Sequence, residues 1–163
     1  MFFQRYADTP GMTGKNAEIA PHIVTINAYN QAIEFMGDGS IDLDTDTFKC
    51  ELHSALTFTA THTQRSDVSA SAVATGNGYT SPGQNLASVT WGFSTDKTIF
   101  NAGNVSWAAS GGSISGDDAV IYDDTHASDL LLFDIDFGAT ESAGDGTNFV
   151  IDFDYTNGIF YIA

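Results

Sequence analysis

The chain has 163 residues, of which 42% are hydrophobic and 12% aromatic; that is enough for one domain with a substantial core, and it excludes a disordered acidic polymer. Twenty-one Asp and Glu against five Lys and Arg give a net charge of −16. A nucleic-acid duplex or an anionic membrane would be repelled, so neither is expected as a partner. The single cysteine, Cys50, excludes an intrachain disulfide.

Residues 1–17 read as an extended arm, and residues 18–163 as a single domain. Met1, Phe2, Phe3 and Tyr6 are apolar, whereas Pro10-Gly11 and Gly14 interrupt any regular element. Phe2, Phe3 and Tyr6 are therefore interface candidates, able to pack on a neighbouring subunit or to fold back on their own core. Residues 22–27 are β-prone. Asn27 can cap a short helix over residues 28–36, where Tyr29, Ile33 and Met36 follow helical spacing and Gly37 or Gly39 can close it.

In residues 48–54, Phe48, Cys50 and Leu52 alternate with Lys49, Glu51 and His53. The first set is expected inside and the second outside, which makes Cys50 a small core residue. Residues 55–83 look irregular, with a helical turn near 68–74 and a dense turn region at 76–83. Further strands are expected near 86–93, 98–100, 104–108, 119–122 and 130–137. In the last of these Leu131, Phe133, Ile135 and Phe137 should face inward, opposite Leu130, Leu132, Asp134 and Asp136.

The closing stretch, residues 148–163, reads as a β-hairpin. Asn157-Gly158 suits a type I′ turn, which sets Tyr155 opposite Phe160 and Phe153 opposite Ile162. Ile151, Phe153, Tyr155, Phe160 and Ile162 then share an apolar face, with Asp152 and Asp154 on the other. Short strands joined by Gly, Asn and Asp turns argue for an all-β fold, an antiparallel β-sandwich of jelly-roll type, with one short N-terminal helix and an extended N-terminal arm.

No catalytic residue and no cofactor is expected. Asp42, Asp44 and Asp46 have the spacing that opens an EF-hand loop, but Thr47 and His53 stand where Gly and the bidentate Glu belong. A looser calcium site is left beside the plainer reading of an acidic turn. Asp134/Asp136 and Asp152/Asp154 resemble the acid pairs of glycoside hydrolysis, yet strand alternation alone puts each pair on one face. Like charges on neighbouring strands would call for a cation or a basic partner. His22, His53, His62 and His126 lie in no metal-binding spacing. Ser81 replaces the third glycine of a dinucleotide fingerprint at Gly76-Asn-Gly78, no lysine follows Gly83, and Ile114 replaces the serine of a nucleophile elbow. Asn104-Val-Ser106 is a glycosylation sequon by spelling alone. Trp91, Trp107, Tyr79, Tyr122 and Tyr161 could form a sugar-stacking platform or anchor a core or interface; Tyr79 and Tyr161 join the interface candidates.

The order of motifs carries a resemblance. Residues 28–36, Ala-Tyr-Asn-Gln-Ala-Ile-Glu-Phe-Met, run into Gly37-Asp-Gly-Ser-Ile-Asp-Leu-Asp-Thr-Asp-Thr-Phe-Lys-Cys-Glu-Leu52. Then come a Thr/Ser-rich stretch to Gly76-Asn-Gly-Tyr-Thr80, Val105-Ser-Trp107, Asp118-Ala-Val-Ile-Tyr-Asp-Asp124, Asp136-Phe-Gly138 and Phe153-Asp-Tyr-Thr-Asn-Gly-Ile159. This succession resembles a large group of small virion proteins of tailed bacteriophages, often encoded in the head-gene region. It covers residues 28–163 and leaves the arm outside; Cys50 and Glu51 stand where an aliphatic pair is expected. The resemblance implies a non-enzymatic structural role, foremost a capsid decoration (cement) protein that binds the outer head surface and bridges capsid subunits. Its partners would be the major capsid protein and copies of itself, as homodimer or homotrimer. The first residues show no secretory leader, so synthesis in the bacterial host cytoplasm and residence on the outer capsid surface of the virion are expected. A head fibre, tail fibre or baseplate component and a carbohydrate-binding jelly-roll module are the alternatives.

Overall fold

The computed structural model describes residues 18–19, 25–153 and 157–163. These form eleven strands and one α-helix: β1 Glu18–Ile19, β2 Thr25–Ala28, α1 Asn30–Asp38, β3 Phe48–His53, β4 Gln84–Asn85, β5 Thr90–Ser94, β6 Lys97–Asn101, β7 Val105–Ala108, β8 Ile114–Asp123, β9 Leu130–Ala143, β10 Asn148–Ile151 and β11 Phe160–Ile162. The protein is mostly β, in three sheets ordered β2-β9-β8-β3-β4, β1-β10-β7 and β11-β6-β5. All pairs are antiparallel except the short contact of β1 with β10.

The two small sheets pack their aromatic side chains against one face of the five-stranded sheet. Phe100 on β6 meets Phe48 on β3 edge-on at 5.2 Å, Phe160 on β11 meets Phe133 on β9 at 5.3 Å, and Phe149 on β10 meets Phe137 on β9 at 6.0 Å. Phe48, Phe100, Phe133 and Phe149 are fully buried, each contributing about 1.5–3 kcal/mol through its removal from water. The opposite face of the same sheet is covered as well. There Tyr29, Ala32, Val68, Val120, Tyr122 and Leu131 form a second cluster, closed by Met36, Leu56 and Phe58. The cover consists of α1 and the segment after β3, which holds two short 3-10 turns, Arg65–Asp67 and Ser69–Ser71.

Four sequence expectations need correction. The helix runs two residues later than expected. Thr25–Ala28 continue as a strand because they pair with Asp136 through Phe133, and Asn27 spends its amide on Asp134 at 3.1 Å rather than on a helix cap. Gly39, at φ +82°, closes the helix, as a left-handed C-terminal residue does.

The inward face of β9 changes parity. Ile121 pairs with Phe133 but Tyr122 pairs with Leu131, so Leu132 is an extra residue. A bulge of this kind turns two successive residues to one side. Leu130 and Leu132 therefore join Phe133, Ile135 and Phe137 in the main core, and Leu131 points into the opposite cluster. On β3 the polar set is not outside: Glu51 and His53 are as buried as Cys50 and Leu52.

Finally, among the described residues β10 and β11 do not pair with each other as a hairpin. β10 pairs with β7 and β11 with β6, in two different sheets. Tyr155 and Asp154 lie outside the described residues. Ile151, Phe153 and Phe160 are buried and Asp152 is exposed, but Ile162 is 52% exposed. Gly158 is required by a close approach as well as by its backbone conformation. Its φ is +68°, and a Cβ there would lie 2.5 Å from the Phe100 carbonyl oxygen.

Candidate functional site

The apolar side of the β11-β6-β5 sheet runs past the edge of the core. Register places Trp91, Phe100 and Phe160 in one row and Phe93, Thr98 and Ile162 in the next. Cross-strand partners share a face, so both rows point the same way. The first row is anchored in the core, where Trp91 stacks on Phe160 with ring centres 6.3 Å apart and planes 7° off parallel. The second row has no such cover: Phe93 is 76% exposed.

Between this edge, α1 and residues 39–43 lies a groove of about 470 Å³. Ile33, Met36, Leu43, Trp91 and Ile162 line it, with Asp42 at its rim. Tyr161 on β11 and Trp91 on β5 stood out in the sequence, but Phe93 and Ile162 were not read as an interaction surface. The available signal was Phe93, an aromatic residue on a strand-forming run, with nothing in the sequence to say that its face ends in solvent.

The interface candidates are dispersed. Tyr79 is interior: its hydroxyl accepts the Leu52 backbone N–H at 3.0 Å and its ring meets Trp107 at 5.3 Å. Burial removes it from any contact surface, because the tight turn at 76–79 folds inward against β3. Tyr161 is half-buried beneath the Lys97 ammonium, 4.8 Å from its ring centre. Phe2, Phe3 and Tyr6 lie outside the described residues.

A second constellation was only partly visible in the sequence. Thr25, Asp136, Asp118 and His53 form one row across β2, β9, β8 and β3, and Asn27, Asp134, Val120 and Glu51 form the next. Asp134, Glu51 and His53 are fully buried and Asp118 is 8% exposed. Glu51 is held by Arg65, whose Nε and Nη2 donate at 2.7 and 2.8 Å. Burial pushes the Glu51 carboxyl up, but His53 and Arg65 outweigh it and leave the group below its ordinary value.

Among the described residues no Lys or Arg pairs with Asp118 or Asp134. Burial, then the charge of Asp134, pushes Asp118 up to about 8. Burial pushes Asp134 up to about 6, against the hydrogen bond from Asn27. Asp134 Oδ1 and the Tyr29 hydroxyl have no hydrogen-bond partner among the described residues. Like carboxylates share this space by keeping a proton.

Split carboxyl pKa values are a feature of hydrolytic acid pairs, but Asp134 is fully buried and the groove lies elsewhere in the fold. A Ser–His–Glu line also fails as chemistry. His53 Nδ1 is 2.9 Å from Ser71 Oγ and His53 Nε2 is 3.6 Å from Glu51 Oε2. Ser71 donates its hydroxyl proton to the Val68 carbonyl at 2.9 Å. The imidazole Nδ1–H is then the donor toward Ser71 and cannot take a proton from it.

Asp42, Asp44 and Asp46 form an acidic turn. Asp42 Oδ1 accepts the Asp44 N–H at 3.0 Å and Asp46 Oδ2 accepts the Asp42 N–H at 2.7 Å. Hydrogen bonds from Asp44 and Thr45 hold the Asp42 carboxyl below its ordinary value. Among the described residues no group of three or more His, Cys, Asp or Glu is placed to hold a metal ion. Burial pushes the Cys50 thiol up, far from the range of a reactive thiolate. No helix among the described residues is long and apolar enough to cross a membrane. No protein-family model, curated protein or solved structure matches the chain.

Proposed function

We propose that this chain is a non-enzymatic structural protein of a tailed-phage virion, and within that class a capsid decoration (cement) protein. The observation that carries the reading is the apolar lip: Phe93, 76% exposed, and Ile162, 52% exposed, beside half-buried Trp91 on a chain of charge −16. Charge of that size keeps free copies apart. An exposed apolar patch on such a background is suited to an assembly contact. The motif order over residues 28–163 supplies the kind of assembly.

In this reading the domain is an antiparallel β-sandwich of jelly-roll type, with the five-stranded sheet as one layer and the two small sheets as the other. The lip seats at a seam between capsid subunits and adds buried area that opposes the outward pressure of packaged DNA. The acidic remainder pairs with basic residues of the shell or keeps unassembled copies soluble. The partners are the major capsid protein and further copies of the chain, as a dimer or trimer that fits the lattice. Head-fibre, tail-fibre and baseplate roles would use the same lip against another surface. A glycan-binding module has less support, because Trp107 and Tyr79 are both buried and cannot join a stacking row.

Mixing the purified protein with undecorated, expanded phage heads tests the proposal. Saturable binding by sedimentation, together with a raised head melting temperature, supports it. Heads that sediment without the protein at saturating concentration refute it.

A further inference from the structure

The groove beside the lip borders α1 and residues 39–43. It is apolar on its walls, and its rim holds Asp42, with Asp38 at the end of α1 close by in sequence. Neither aspartate pairs with a described cation. Lys49 pairs with Asp124 at 2.8 Å and Arg65 with Glu51. Lys97 contacts Asn157 and the Tyr161 ring. Of the five basic residues in the chain, Arg5 and Lys15 lie outside the described residues. Both lie in residues 1–17. That segment carries Arg5 and Lys15 against Asp8, a formal charge of +1; the rest of the chain carries three Lys and Arg against 20 Asp and Glu, a charge of −17. The same segment opens with Met1, Phe2, Phe3 and Tyr6. It is at once the net basic part of the sequence and a cluster of large apolar side chains.

We propose that the groove is the seat of the chain's own N-terminal segment, with Phe2, Phe3 and Tyr6 filling it and Arg5 facing the acidic rim. Reach does not forbid it. The segment ends at Glu18, which pairs with Asn148. Seventeen residues extend to about 56 Å at ~3.3 Å each, against a radius of gyration of about 15 Å for a chain of this length. The tether also selects the occupant, because it holds the segment at an effective concentration on the order of millimolar. A second copy would have to exceed that concentration to compete. This inference concerns the isolated chain and does not depend on the virion reading.

The test compares the full-length protein with the Phe2→Ser, Phe3→Ser, Tyr6→Ser triple variant and with Arg5→Glu. Acrylamide quenching reports on Trp91, which lines the groove, since Trp107 is buried. The triple variant should quench more steeply and bind several-fold more of an apolar dye, while keeping the oligomeric state of the wild type by sedimentation. A Trp91→Phe background should abolish the quenching difference. Arg5→Glu should give a partial effect that shrinks as salt is added. Unchanged quenching and dye binding in the triple variant would overturn the proposal. A wild-type dimer that the triple variant dissociates would also overturn it, by assigning the occupant to a second copy.

Discussion

Replacing Asp118 by asparagine should stabilise the protein in alkaline solution and not in acid. Asp118 faces Asp136 across β8 and β9 and lies diagonal to Asp134, with His53 opposite it on β3. It is 8% exposed, and its carboxyl is raised from the ordinary 3.8 to about 8. The folded state therefore holds this proton more tightly than the unfolded chain. The associated stability is fully present below pH 3.8 and is lost as pH rises toward 8. Each pH unit in that window removes up to about 1.4 kcal/mol. The realised loss is smaller, because Asp118 and Asp134 titrate as a coupled pair and their contributions do not add. Asp118→Asn, which cannot ionise, should gain about 2–4 kcal/mol over the wild type near pH ~9. For a domain of this size that is a rise of about 5–15 °C in Tm. Near pH ~4 the two proteins should melt within about 0.5 kcal/mol of each other, since both are then neutral at this position. Thermal unfolding followed by circular dichroism across this range reads the effect directly. A difference between the two proteins that does not change with pH would refute the reasoning, as would a variant less stable than wild type at alkaline pH.

Arg65→Ala leaves the fully buried Glu51 carboxylate without its cation and should cost about 3 kcal/mol in urea denaturation. The double variant Arg65→Met, Glu51→Leu should recover most of that loss. Gly83→Ala should destabilise by more than about 4 kcal/mol or abolish soluble expression, because its Cβ would collide with the Cys50 backbone carbonyl at φ +85°. Gly111→Ala, at φ +78° with nothing within 4 Å, is the matched control and should cost only about 1–2 kcal/mol. Equal losses at the two glycines would mean that strain, not collision, governs Gly83.

The parts of the fold that were legible in the sequence depend on local periodicity. Phe48, Cys50 and Leu52 are buried as their alternation requires, and so are Phe133, Ile135 and Phe137. The parts that were not legible depend on what covers a face or which strand is captured. Residues 55–72 have no period, so nothing in them announces that they cover Glu51 and His53. The bulge at Leu132 adds one residue inside an unbroken apolar run, and a run of that kind reads the same in either parity. Asn157-Gly158 matches a local turn rule, but β10 and β11 pair with β7 and β6, strands that no local rule points to. Of the candidate site, the acidic pair Asp134/Asp136 was visible as spacing, yet its partner Asp118 was not. Only the β8–β9 register brings that residue alongside. The lip was invisible for the same reason: Phe93 and Ile162 are 69 positions apart and meet through β6.

The most direct test of the structural role is electron microscopy of expanded, undecorated phage heads incubated with the protein, alongside the Phe93→Ser, Ile162→Ser variant. Both side chains are more than half exposed, so the variant should still fold, which circular dichroism checks. The account predicts lattice-symmetric density on the outer shell, with β5 and β11 turned toward the capsid, and its loss in the variant. Bare heads, or bound density with that face turned to solvent and unaffected by the substitutions, would contradict it.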